Sequence, residues 1–92
     1  MTRQIEIYGR DGCIWCDRAL TLAKNAKLPF KYHSYSRDPA ALAEMLLRGQ
    51  RAGVAVTTVP QVFIGNIALG GYEGFAKAIE SGVIAAFLSG EI

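Results

Sequence analysis

The chain has 92 residues, 51% of them hydrophobic and 20% charged, with ten Lys and Arg set against eight Asp and Glu for a net charge of +2. A chain this short builds one domain around one core and buries roughly 60–65% of its unfolded surface, so residues 1–92 are expected to fold as a single domain and a multidomain machine is excluded. The basic residues are scattered without a run of five, which argues against nucleic acid as a partner, and the longest apolar stretches, such as Val83 to Leu88, fall far short of the ~18 residues a bilayer span needs.

The first β-friendly run is Gln4-Ile5-Glu6-Ile7-Tyr8, which ends in the loop Gly9-Arg10-Asp11-Gly12. Glu6 stands where a secretory signal needs its apolar core, so the cytoplasm is the expected location. From Cys13 onward, Cys16, Ala19, Leu20, Leu22, Ala23 and Ala26 recur at three- and four-residue spacing, predicting a helix that starts at the cysteines and puts these residues on one buried stripe. Pro29 ends it, and Phe30 to Tyr35, with three aromatic rings, reads as a second strand near a sheet edge. Asp38 as N-cap and Pro39 at the first helical position open a second helix carrying Leu42, Met45, Leu46 and Leu47. Residues 48–57, with two glycines and two arginines, read as a connection.

After Pro60, Gln61 to Ile64 is a strand, Gly65-Asn66 a two-residue turn and Ile67 to Leu69 the return strand of a hairpin that stops at Gly70-Gly71. From Tyr72, the residues Phe75, Ala76 and Ile79 restore helical spacing. Ser81-Gly82 interrupts this helix, and Val83, Ile84, Phe87 and Leu88 form a short apolar helical tail over the core. The order is βαβαββα, an α/β fold with a four-stranded mixed sheet between helices.

Cys13 and Cys16 are the only cysteines and His33 the only histidine, so one chain cannot assemble a four-ligand Cys/His zinc site, and no metal site is expected. A bridge over two intervening residues closes so small a loop that it removes little entropy from the unfolded chain, which makes a stabilising staple a poor explanation. Redox chemistry remains: in a reducing compartment a Cys-x-x-Cys pair beside a strand–helix–strand pattern is the signature of a dithiol that cycles through a disulfide.

Three segments in order, Cys13-Ile14-Trp15-Cys16 after the first strand, Thr58-Val59-Pro60-Gln61-Val62-Phe63-Ile64 before the hairpin and Gly70-Gly71 opening the last helix, together resemble a glutaredoxin across nearly the whole chain. The resemblance implies a thioredoxin-like fold, both cysteines at the start of the first helix, a cis proline at Pro60 facing them, and glutathione bound between. An unperturbed thiol of pKa ~8.5 is only a few per cent ionised at neutral pH, and a helix N-terminus favours the anion, so Cys13 is assigned as nucleophile, with Arg10 adding positive charge. Cys16, nearly one turn on and facing inward, is assigned as resolving thiol. Trp15 is read as an apolar wall for a peptide-like ligand.

In this fold a cis Val59–Pro60 bond leaves the Val59 main chain free to pair with a glutathione backbone beside Thr58. Gly70-Gly71 would seat the γ-glutamyl carboxylate on backbone N–H groups, and by resemblance Tyr72 and Glu73 contact that carboxylate and its amine. The chain departs from the family pattern at Ile14, where many members carry proline, at Tyr72-Glu73, where a small residue or cysteine precedes aspartate, and at Gly74, where an acid is common. Arg48 and Arg51 are left outside the site, and His33 is read as structural or solvated. The expected activity is glutathione-dependent reduction of protein disulfides and glutathione mixed disulfides, by a monomer without a tightly bound cofactor. Two alternatives stay open: a redoxin reduced by thioredoxin reductase that serves ribonucleotide reductase, and an iron–sulfur carrier in which two chains and two glutathiones share a cluster.

Overall fold

A computed structural model describes residues 3–92. Eight elements follow one another: β1 (Ile5–Gly9), α1 (Ile14–Asn25), β2 (Phe30–Ser34), α2 (Ala40–Ala52), β3 (Gln61–Ile64), β4 (Ile67–Gly70), α3 (Tyr72–Ser81) and α4 (Val83–Ser89). The strands form one sheet in the order β2-β1-β3-β4. β1 runs parallel to β2, as a crossover through α1 requires, and antiparallel to β3, which pairs antiparallel with β4 across the Gly65-Asn66 turn. This is the four-stranded mixed sheet with flanking helices expected from the sequence.

The alternation of β1 divides the core in two. Ile5 and Ile7 point to one face, where they meet Val62, Ile64, Ala19 and Ala23 of α1, Phe75 and Ala78 of α3 and Ile84 of α4. Tyr8 points to the other face and packs with Phe63 beneath Ala41 and Met45 of α2. His33 stacks on the Tyr8 ring at 4.6 Å and pairs with Glu6, while the Tyr8 hydroxyl donates to the Glu44 carboxylate. Burial, with that hydrogen bond, raises the Tyr8 pKa, and the same hydrogen bond holds Glu44 below the usual carboxylate range.

The structure corrects three sequence expectations. Residues 48–52, read as part of a connection, are the last turns of α2, which closes at Gly53 in the left-handed conformation. The helix turns Ala41, Met45 and Gly49 inward and leaves Leu42, Leu46 and Leu47 exposed: Ala41 and Met45 pack on Tyr8 and Phe63, and a Cβ on Gly49 would run into the Val56 side chain. Ala26, placed on the buried stripe of α1, is exposed as the C-cap, since the chain reverses into Lys27 at positive φ one residue later. Asp38, expected as the N-cap of α2, stands one residue before it: Pro39 is the N-cap, already helical in conformation, and the Asp38 carboxylate accepts the Ala40 amide at 3.1 Å.

Candidate redox site

β1 delivers the chain through Arg10–Gly12 to the N-terminus of α1, with Gly12 at positive φ. Cys13 is the N-cap residue, in extended conformation, and its sulfur accepts the Cys16 backbone amide at 3.1 Å. A sulfur thus takes the place of the oxygen that usually satisfies an orphan N–H of the first turn. Cys13 and Cys16 are joined as a disulfide with their Cα atoms 5.2 Å apart. Cys13 retains 6% of its surface and Cys16 none. Gly9 makes room for the inner sulfur, since a Cβ there would stand 2.8 Å from Cys16 Sγ and 2.6 Å from the Tyr32 hydroxyl.

Facing this pair is the loop before β3. The Val59–Pro60 bond is cis, and the Val59 carbonyl oxygen lies 3.9 Å from Cys13 Sγ. The Gln61 side-chain amide donates to the Thr58 carbonyl at 2.8 Å and fixes the loop from within. The sequence reading missed Gln61 as a site-building residue; the signal was a polar side chain directly after Pro60 at the head of a wholly buried strand.

A groove of about 630 Å³ opens beside the disulfide, lined by Trp15, Thr58, Val59, Pro60, Gly71, Tyr72, Glu73 and Gly74. Seven of these eight were candidates from the sequence. The eighth, Gly74, is glycine for a packing reason: a Cβ would collide with the Leu69 carbonyl, so its absence lets the first turn of α3 lie against β4. Gly71 is the N-cap of α3, and Tyr72, Glu73 and Gly74, whose amides have no partner within the helix, line the groove beside it. Trp15 and Tyr72 close its outer side with ring centroids 5.4 Å apart, and the Arg18 guanidinium stacks on Trp15 at 4.5 Å. Glu73 is exposed and pairs with Lys77 one turn on, at 3.3 Å. Gly70 does not line the groove; at φ +86° it ends β4 and turns the chain into α3.

Arg10 is not brought into this groove. It is exposed, donates to the Asp11 carbonyl at 3.2 Å, and lines a second groove on the far side of Val59. His33 lies in β2 beneath α2 and serves the Tyr8–Glu6 cluster. Among the described residues no group of three His, Cys, Asp or Glu is placed to hold a metal ion, and no helix is long and apolar enough to cross a membrane.

A family model described as Glutaredoxin matches residues 5–67. The chain is 36% identical over 80 residues to Glutaredoxin 1 of Escherichia coli (strain K12), covering 84% of this chain and 93% of that protein. It is 34% identical over 67 residues to Glutaredoxin 3 of the same strain, covering 73% and 75%. The solution structure of a glutaredoxin from Brucella melitensis covers all of this chain, and 97% of its own, at a TM-score of 0.68 and 28% identity. Reduced Escherichia coli glutaredoxin matches at 0.69 and 34%, covering 87% and 96%. A buckwheat glutaredoxin–glutathione complex, at 0.74 and 21% identity with 95% and 77% covered, shares the fold.

Proposed function

Because this chain belongs to the glutaredoxin family and carries its Cys-x-x-Cys pair, and is therefore a thiol–disulfide oxidoreductase, we propose that it takes its electrons from glutathione and spends them on protein disulfides and glutathione mixed disulfides. The observation that carries the reading is the groove beside Cys13. It has an aromatic wall at Trp15 and Tyr72, a main-chain edge at Val59 and a helix N-terminus at Gly71, which together suit a short extended peptide with an anionic end.

In this reading the Cys13 thiolate attacks a substrate disulfide, one sulfur forming the mixed disulfide with Cys13 and the other leaving as a thiolate that takes up a proton. Cys16 then attacks Cys13 and frees the second substrate thiol, which leaves the protein oxidised as the Cys13–Cys16 disulfide. Two glutathione molecules reduce that disulfide, the first as a mixed disulfide on Cys13 and the second releasing glutathione disulfide. Thr58 and Val59 align the glutathione backbone, Gly70 and Gly71 shape the amide seat for its γ-glutamyl carboxylate, and Tyr72 and Glu73 contact that end. Arg10 contributes positive potential from the neighbouring groove. The protein works as a monomer in the reducing cytoplasm, without a tightly bound cofactor.

The test is NADPH-dependent disulfide reduction with glutathione and glutathione reductase in one cuvette and thioredoxin reductase in the other. Turnover in the first alone is expected. Turnover in the second alone would overturn the glutathione reading in favour of a redoxin.

A further inference from the structure

The second groove, on the α2 side of Val59, encloses about 450 Å³, and its apolar wall is Leu42, Met45, Leu46 and Val56, with Arg10 and Tyr35 at its rim. Leu42 and Leu46, one turn apart, are 41% and 48% exposed. A helix with its own sheet to pack against ordinarily presents polar residues on that outward side, so a contiguous apolar patch here points to a ligand. The wall is held in place: Val56 seats on the bare Cα of Gly49, and the Val54 amide donates to the Gly49 carbonyl at 2.9 Å.

This patch is continuous with the redox site. Thr58 and Val59 line both grooves, and the Val59 carbonyl oxygen stands 3.9 Å from Cys13 Sγ. An extended chain that pairs with the Val59 main chain while its sulfur meets Cys13 must therefore run from one groove into the other. A tripeptide reaches one residue to either side of its cysteine, whereas a protein segment continues onto the leucines.

We propose that the α2-side groove is the docking surface for protein disulfide substrates, and that it selects an extended segment with apolar side chains next to the attacked cysteine. The proposal rests on disulfide exchange at Cys13 and on main-chain pairing at Val59, but not on glutathione as electron donor. In the exchange, Cys13 bonds to the substrate cysteine and the partner cysteine leaves as a thiol; Cys16 then closes the Cys13–Cys16 disulfide, so the substrate gains the two electrons the protein loses.

The experiment uses the full chain, reduced with dithiothreitol and desalted, and two synthetic peptides of equal length and charge. Each contains one internal disulfide, flanked by leucines in one peptide and by serines in the other, and the second-order rate of peptide reduction is followed by quenching and mass spectrometry. The leucine peptide is expected to react about tenfold faster with the unaltered protein. Leu42→Ser/Leu46→Ser is expected to bring the two rates together by slowing the leucine peptide alone, and Leu42→Met/Leu46→Met to keep the preference. Equal rates for the two peptides with the unaltered protein overturn the proposal without recourse to any variant, and so does a preference that survives the double serine substitution. Glutathione is absent throughout, so failure of the glutathione-coupled assay with this preference intact would count against the electron donor and leave the docking surface standing.

Discussion

The backbone amide of Cys16 donates to the sulfur of Cys13, 3.1 Å away, so the outer sulfur is at once redox partner and N-cap of α1. The inner sulfur has no exposed surface. This asymmetry divides the labour between them. Cys13→Ser should reduce every disulfide reaction to the uncatalysed background. Cys16→Ser should retain reduction of a glutathione mixed disulfide and lose dithiol reduction of a protein disulfide, as separate assays on the two substrates would show. Equal loss in both variants would contradict the assignment.

Gly9→Ala places a Cβ 2.6 Å from the Tyr32 hydroxyl and 2.8 Å from Sγ of the fully buried Cys16. Overpacking of this kind costs about 1–3 kcal/mol, so the melting temperature of the oxidised protein should fall by several degrees. An unchanged melting temperature would mean that Cys16 is not confined as described.

Gly74→Ala trades two effects of opposite sign. Alanine gains about 1 kcal/mol of helix propensity over glycine, yet its Cβ meets the Leu69 carbonyl, a backbone atom that cannot rotate away. The collision should win, lowering stability by about 1–3 kcal/mol in denaturant unfolding and displacing the first turn of α3 from the groove. Turnover with glutathione should fall as well, whereas at an exposed helical position away from the groove such as Glu80 an alanine should leave it unchanged.

Tyr8→Phe keeps the ring against Phe63 and removes the hydrogen bond to Glu44. The loss should be about 1 kcal/mol near neutral pH, at the low end for a charged partner because Glu44 is half exposed. The Glu44 pKa is lowered in the folded state, chiefly by the Tyr8 hydroxyl, so its contribution is present above the ordinary carboxyl value of ~4.3 and is lost as pH falls through the folded value. The Tyr8 pKa is raised, chiefly by burial, so its contribution is present below the ordinary phenol value of ~10 and is lost as pH rises past it. The stability gap between wild type and Tyr8→Phe should therefore be widest near neutrality and narrow at both extremes. A gap independent of pH would sever the Tyr8–Glu44 link.

Strand and hairpin boundaries were legible because they rest on local chemistry: alternation in Ile5–Tyr8, the breaker Pro29, and the Gly65-Asn66 turn, where Gly65 adopts φ +57°. The cysteine helix was legible for the same reason. What escaped depends on which neighbour a residue meets. Arg48-Gly49-Gln50-Arg51 reads as a loop because Gly49 lowers helix propensity, and only the Val56 contact explains a glycine there. The sequence places Leu42, Met45, Leu46 and Leu47 on α2, but periodicity does not say what faces each of them, and of these four the sheet took Met45 alone, beside Ala41.

The site divides along the same line. Trp15, Thr58 to Pro60 and Gly71 to Glu73 come from contiguous motifs and converge on one groove. Arg10, read from proximity in sequence to Cys13, falls on the other side of Val59, because the loop turns at Gly12 before the helix begins.

The burial of Cys16 between Gly9 and Tyr32 gives the dithiol a single door. An alkylating reagent, a metal ion or a bulky protein thiol arriving from solvent meets Cys13 first, and the inner sulfur changes partners only through its neighbour. A brief exposure of the reduced protein to iodoacetamide would thus leave one adduct per molecule and not two, and the sequential order of the reaction is written into the shape of the wall behind Cys16.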